Sequence, residues 1–240
     1  MICPRCRAAM TPETLTGHLG TPVTIDVCRS CQAFWFDRRE SLQLAPRSTL
    51  ALFQVIGEQA EAGHRPPAAP ADDATVCPRC GMRLRPTQDR QRNTTFRYLR
   101  CPAGHGRFTT FYDFLREKDF IRPLSGDQIA ELRRHVQAVN CANCGGPIDL
   151  VARSTCGHCG SALTMLDLRQ AEQLIAQLQQ ADRAGAAVDP ALPLALQRAR
   201  RDVAASFDAI ERDPNWYSSV SSAGLIGAGL SAISKWIKRP

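Results

Sequence analysis

Apolar positions change period several times along the chain, and each change marks an element. Thr24-Ile25-Asp26-Val27 alternates with period two and predicts a strand. Thr95 to Cys101 does the same, placing Phe96, Tyr98 and Arg100 on one face. Asp37 and Glu40 have the spacing of a capping box, predicting a short helix that Pro46 ends. Leu50, Leu52, Phe53 and Ile56 then recur with helical period and predict a helix over 48–60. Ser125 and Gln128 form a second capping box, with Leu124 and Ile129 as a flanking apolar staple. Ile129, Leu132, Val136 and Val139 share one face, which predicts a connecting helix within 124–140.

Further on, Asp167 is placed to cap a helix bearing Ala171, Leu174, Ile175 and Leu178, closed by Gly185. A second amphipathic helix carries Leu196, Ala199, Val203, Phe207 and Ile210, and the two form a helical hairpin or a dimer seam over 165–213. Between these patterned regions His64 to Ala74 is rich in Pro and Ala and has no apolar period, so 61–76 reads as an extended linker. The tail, 214–240, is uncharged from Trp216 to Ser234 and ends in Lys235, Trp236, Lys238 and Arg239. Its stripe of Ile226, Leu230, Ile233 and Ile237 suits packing on a protein surface or lying in a membrane interface over 216–239. A full span is disfavoured by its serines and its basic end.

Cysteine changes this picture most. The chain of 240 residues has 11 cysteines, at 3, 6, 28 and 31, at 77, 80 and 101, and at 141, 144, 156 and 159. An odd count excludes complete disulfide pairing, and the Cys-x-x-Cys pairs point to metal ligands in a reducing, cytoplasmic setting. Two intervening residues let a turn aim both sulfurs at one point, and a second turn completes a tetrahedron. Cys3, Cys6, Cys28 and Cys31 make one such set, and Cys141, Cys144, Cys156 and Cys159 another. Cys77, Cys80 and Cys101 need a fourth ligand, which His105 supplies just after Gly104. Three structural zinc ions are therefore expected. Iron suits the four-cysteine sets as well, and redox-active thiols are the weaker alternative. Four protein ligands leave no open position, and no nucleophile–base or paired-carboxylate motif is evident, so an enzyme and a small-molecule substrate are not expected.

The expected fold is a small metal-stabilised α+β chain. It comprises three tandem zinc ribbons of short β-hairpins, at 1–60, 77–123 and 141–164, with connecting helices and a helical C-terminal region. Net charge, +7 overall, is concentrated in 77–123, where 11 basic residues meet 4 acidic ones beside seven aromatics. Arg97, Arg100 and Arg107 with Phe96 and Tyr98 suit phosphate pairing and base stacking. A nucleic acid or an acidic protein surface is thus the expected partner of an adaptor. A protein-interaction scaffold, held peripherally at the inner membrane face, is the alternative.

The run Cys28-Arg-Ser-Cys31-Gln-Ala-Phe-Trp-Phe-Asp-Arg-Arg-Glu40, preceded by Cys3-Pro-Arg-Cys6, resembles the transcription factor zinc-finger family of transcription-factor-IIB-type zinc ribbons. The resemblance covers residues 2–42 and departs at Arg39, where the family has Gly. It implies a zinc ribbon on Cys3, Cys6, Cys28 and Cys31, and it implies nothing about transcription.

Overall fold

The structure is a computed structural model that describes residues 1–17, 20–37, 40–61, 75–91 and 94–167, together with Gln173, Ala176, Gln180 and Ile226. Apart from these four residues, the predicted hairpin helices and the tail lie outside the described residues, as does 62–74 of the Pro/Ala linker.

Each of the first two cysteine clusters supplies a hairpin and a third strand. Strands β1 (Thr11–Thr16), β2 (Pro22–Cys28) and β3 (Ala33–Asp37) follow the first Cys-Pro-Arg-Cys turn. Strands β4 (Arg85–Gln91), β5 (Thr94–Arg100) and β6 (Gly106–Thr110) follow the second. β1 starts eight residues after Cys3 (3 to 11), and β4 starts eight after Cys77 (77 to 85). The strands form one antiparallel sheet in the order β1-β2-β3-β6-β5-β4. The second half therefore repeats the first, and the β3–β6 joint relates them by an approximate twofold axis near Trp35 and Phe108, which face each other in register.

This joint corrects the expectation of separate ribbons for the first two clusters. Neither hairpin alone has enough apolar surface to form a core. Pairing β3 with β6 pools their aromatics and leaves no free edge between them. On one face Phe34 and Phe36 pack under two helices, α2 (Pro46–Glu61) and α3 (Phe111–Glu117). Phe34 lies 4.5 Å from Phe111 and 5.2 Å from Phe114, between ring centroids, and Phe53 lies 4.0 Å from Phe120. On the other face Trp35, Leu84, Leu99 and Phe108 pack among cysteines of both clusters.

Local sequence explains the helix ends. After the short α1 (Glu40–Gln43), Pro46 is the first residue of α2, where its fixed φ and missing N–H cost nothing. Of the capping box before α1, one arm is present, with Asp37 N–H donating to Glu40 Oε2 at 2.6 Å. The other arm is absent because the Asp37 carboxylate accepts from Trp35 Nε1 at 2.7 Å and from Arg79. The box before α4 (Gly126–His135) is complete, Ser125 and Gln128 bonding each other's backbone at 3.1 and 3.3 Å. That helix is shorter than predicted. Val136 is extended, with φ −136°, and Val139 sits in β8 (Ala138–Asn140), paired with Ile148 of β9 (Pro147–Asp149). The β-branched residues that continue the helical pattern on paper thus go to a hairpin, where branched side chains pack well.

The third cluster is built from the turn of this hairpin, with Cys141 and Cys144, and from Cys156 and Cys159 after it, and it packs around Leu132, Val139, Ile148, Leu150 and Leu163. A two-stranded sheet of β7 (Ile121–Pro123) and β10 (Thr164–Leu166) ties it to the segment after α3. Ile226, the described residue of the tail, is helical and 5% exposed, and it belongs to the core with Phe34, Phe53 and Phe114.

Candidate metal centres

Four Cys-x-x-Cys turns share one backbone geometry. The first cysteine's N–H bonds the carbonyl five residues on, and its carbonyl accepts from the residue four on. Cys3 does so with Ala8 and Arg7, Cys77 with Met82 and Gly81, Cys141 with Gly146 and Gly145, and Cys156 with Ser161 and Gly160. The residue four on is left-handed in every case: φ is 64° at Arg7, 71° at Gly81, 74° at Gly145 and 70° at Gly160. Glycine adopts that conformation freely, so three of the four turns are built from the residue the backbone wants.

These turns bring the ligand atoms of Cys3, Cys6, Cys28 and Cys31, of Cys77, Cys80, Cys101 and His105, and of Cys141, Cys144, Cys156 and Cys159 within 4.8 Å of one another in each set. Sulfurs 2.3 Å from a central ion stand about 3.8 Å apart at tetrahedral vertices. The observed separations match that edge. They are 3.9 Å for Cys3–Cys31, 3.6 Å for Cys6–Cys28, 3.6 Å for Cys80–Cys101, 3.6 Å for Cys141–Cys159 and 3.5 Å for Cys144–Cys156. They are too long for disulfides, and all 11 cysteines are free. His105 enters through Nδ1, 3.6 Å from Cys101 Sγ and 4.0 Å from Cys77 Sγ. Gly104 permits the approach with φ 76°.

Thiols packed this closely compete to hold protons. In the first set, hydrogen bonds from Cys28 and Cys31 pull Cys3 down to about 2, while the bond to Cys3 pushes Cys28 up to about 12. In the third, a hydrogen bond from Cys141 lowers Cys159 to about 4, and burial raises Cys144 to about 12. Without a cation only part of each set ionises, whereas a central dication stabilises all four donors as ligands. Each set gathers four protein donors that could hold a metal ion with no further ligand.

The second site is the most open, since Cys80 is exposed and His105 half-buried. Its neighbourhood is tied to the first half of the sheet. Arg79, between its first two cysteines, donates through Nε to Asp37 Oδ1 at 2.9 Å. Trp35, Asp37 and Glu40 of the ribbon-like run thus form a chain of hydrogen bonds that ends on the second cluster. Burial holds the Glu40 carboxyl up at about 7.

The expected nucleic-acid contacts divide. Phe96 is buried, and Arg107 is 13% exposed, donating at 2.7 Å to Glu117 and at 2.6 Å to Ser41. Arg107 is also wedged between Tyr98 and Phe36, its Cζ 4.9 and 5.4 Å from the ring centroids. These two residues are core and cannot face a solvent-side ligand, because the shared sheet covers them with α3 and β3. Tyr98 is half-buried, and Arg97 and Arg100 are exposed. The sequence did not reveal Arg85. It stands directly opposite Arg100 across β4 and β5, a cross-strand pairing that depends on register. Both are exposed, and neither side chain has a partner among the described residues.

The chain was compared with protein-family models, curated proteins and solved structures, and none of them matches.

Proposed function

We propose that this protein is a non-enzymatic adaptor held together by three structural zinc ions, which binds nucleic acid through the outer edge of its sheet. The observation that carries the reading is the Arg85–Arg100 pair. Like charges placed directly opposite on neighbouring strands repel, so an unpartnered exposed pair costs stability. A phosphate between them turns the repulsion into two charge-assisted bonds. Arg97, also exposed, lies three residues along the same strand and so on its opposite face.

Zinc suits closed tetrahedral sulfur-rich sites better than the other common ions. Free thiols throughout suit a reducing compartment such as the cytoplasm. The tandem-ribbon reading is retained as the ancestry of the two sheet halves, and the helical C-terminal region as the continuation beyond Leu166. The resemblance of residues 2–42 to transcription-factor-IIB-type ribbons supports the same view of the first half.

Binding of single- and double-stranded DNA and RNA over a range of salt concentrations tests this reading. Replacing Arg85 and Arg100 together by Gln is expected to flatten the slope of log affinity against log salt by roughly 0.7–0.9 per residue. An unchanged slope, or no binding by the intact chain at low salt, refutes it.

One observation weighs against the alternative in which the tail, 216–239, holds a protein-interaction scaffold at a membrane surface. Ile226 is buried in the chain's own core, so the tail's apolar stripe has at least one intramolecular seat. No helix among the described residues is long and apolar enough to cross a membrane.

A further inference from the structure

Of the 11 cysteines, Cys80 is the exposed one, Cys6 and Cys159 are half-buried, and the other eight are buried. The turn around Cys80 is open as well. Gly81 has no atom beyond its chain neighbours within 4 Å of where a side chain would start, and Met82 is 43% exposed. Cys80 Sγ lies 3.6 Å from the Sγ of Cys101, which is buried. The first centre gives an internal comparison, because Cys6 ends an identical Cys-Pro-Arg-Cys turn and lies equally far, 3.6 Å, from Cys28 Sγ. The two centres thus differ in access to the outer sulfur and not in its distance to the sulfur next to it. They differ also in what remains without the close pair. The first set keeps two sulfurs, Cys3 and Cys31, whereas the second keeps Cys77 and the ring nitrogen of His105.

We infer that the second metal centre is a peroxide-responsive switch, in which Cys80 is oxidised and joins Cys101 in a disulfide at the expense of the site's ion. An accessible thiolate beside a second thiolate is the arrangement that turns a two-electron oxidant into a disulfide. The Cys80 sulfur attacks one oxygen of hydrogen peroxide. An S–O bond forms, the O–O bond breaks and hydroxide leaves. The Cys101 sulfur then attacks the sulfenic sulfur, so that the S–S bond forms, the S–O bond breaks and a second hydroxide leaves. The two sulfurs have together given up two electrons, which reduce the peroxide, and two protons from solvent convert both hydroxides to water. Burial keeps Cys101 from meeting the peroxide itself, so exposure sets the order of the two attacks. Closing 3.6 Å to a disulfide bond length brings the sulfurs about 1.6 Å nearer. Cys77 and His105 are then the donors left, half of a tetrahedral set. A dithiol reverses the oxidation by thiol–disulfide exchange and restores all four donors. The inference rests on the zinc reading of this site and is independent of the nucleic-acid reading.

The test treats the zinc-loaded full chain with limiting hydrogen peroxide, follows ion release with a zinc-binding dye and maps each cysteine by mass spectrometry. Before treatment Cys77, Cys80 and Cys101 are expected to alkylate slowly. Rapid alkylation of all three refutes the zinc reading of the site and the switch with it. On treatment one ion per chain is expected to leave roughly tenfold faster than the others, in step with a Cys80–Cys101 disulfide. A dithiol with added zinc is expected to return the ion. Cys80→His keeps a fourth donor but has no sulfur to oxidise, so it is expected to hold its ions under the same peroxide. Should that substitution itself cost the second ion, the cysteine map of the unaltered chain decides. Equal release from all three centres, first oxidation at Cys6 or Cys159, or release with Cys80 and Cys101 still free thiols overturns the inference.

Discussion

Arg7 is the odd member of the four cysteine turns. Its φ of 64° places a long side chain where the other three turns have glycine. A non-glycine residue in that region costs on the order of 1 kcal/mol, and the turn geometry holds it there because the backbone bonds to Cys3 and Ala8 close the metal-binding knuckle. The side chain is exposed, so replacing it removes no packing. Arg7→Gly is therefore expected to stabilise the zinc-loaded protein by roughly 0.5–1 kcal/mol, after offsetting glycine's larger unfolded-state entropy. Denaturant unfolding checks this, and a destabilised variant would show that the turn is not strained. At the same scale Arg107 shows why a basic, aromatic segment need not be a binding face. Its guanidinium reads as surface charge in the sequence, yet Glu117, 3% exposed, neutralises it inside the structure. Ion pairs this enclosed owe their persistence to the partner, since removing one side leaves an uncompensated buried charge.

At the scale of elements, the central device is the β3–β6 joint, and Gly106 is its tightest point. Opposite Asp37 in register, a Cβ at this position would stand 2.4 Å from the Phe36 carbonyl oxygen and 2.9 Å from the Trp35 ring. Neither backbone nor a buried indole can move aside cheaply. Gly106→Ala is expected to destabilise the sheet by about 3 kcal/mol and to loosen the first and second cysteine sets together, leaving the third protected. Alkylation rates mapped cysteine by cysteine measure this, and uniform protection would show the joint to be dispensable. The elements themselves were largely legible. The α4 capping box, the strand carrying Phe96 and Tyr98, and the ligand sets followed from period and spacing, because those signals are local. The joint was not legible, since strand pairing across a 71-residue separation (36 to 107) is set by pooled burial and not by any local pattern. The repeated Cys-Pro-Arg-Cys was the available clue to the duplication. Arg85 opposite Arg100 escaped for the same reason.

At the scale of the molecule, the cores and the metal sites divide differently. Cysteines of the first two sets share one apolar cluster with Trp35 and Phe108, while the third set has its own cluster around Leu132 and Ile148. Three sites are thus built on two cooperative units. A structural zinc site contributes roughly 10–16 kcal/mol to small isolated modules, so losing one should unfold whatever depends on it. The second site has an exposed Cys80 and one cysteine fewer, so it is expected to hold its ion least tightly. Limiting chelator is expected to remove that ion first. Its loss frees Arg79 from the fixed position that ties it to Asp37, and through the shared core it exposes the first set. His105→Ala is expected to reproduce this state. Metal analysis should fall from three ions per chain to two, and Cys77, Cys80 and Cys101 should alkylate rapidly. Cys3, Cys6, Cys28 and Cys31 should alkylate faster than in the parent protein, with Cys141, Cys144, Cys156 and Cys159 unchanged. Retention of all three ions would show that His105 is not the fourth ligand. An unchanged rate in the first set would show that the two halves, although one sheet, do not depend on each other's metal.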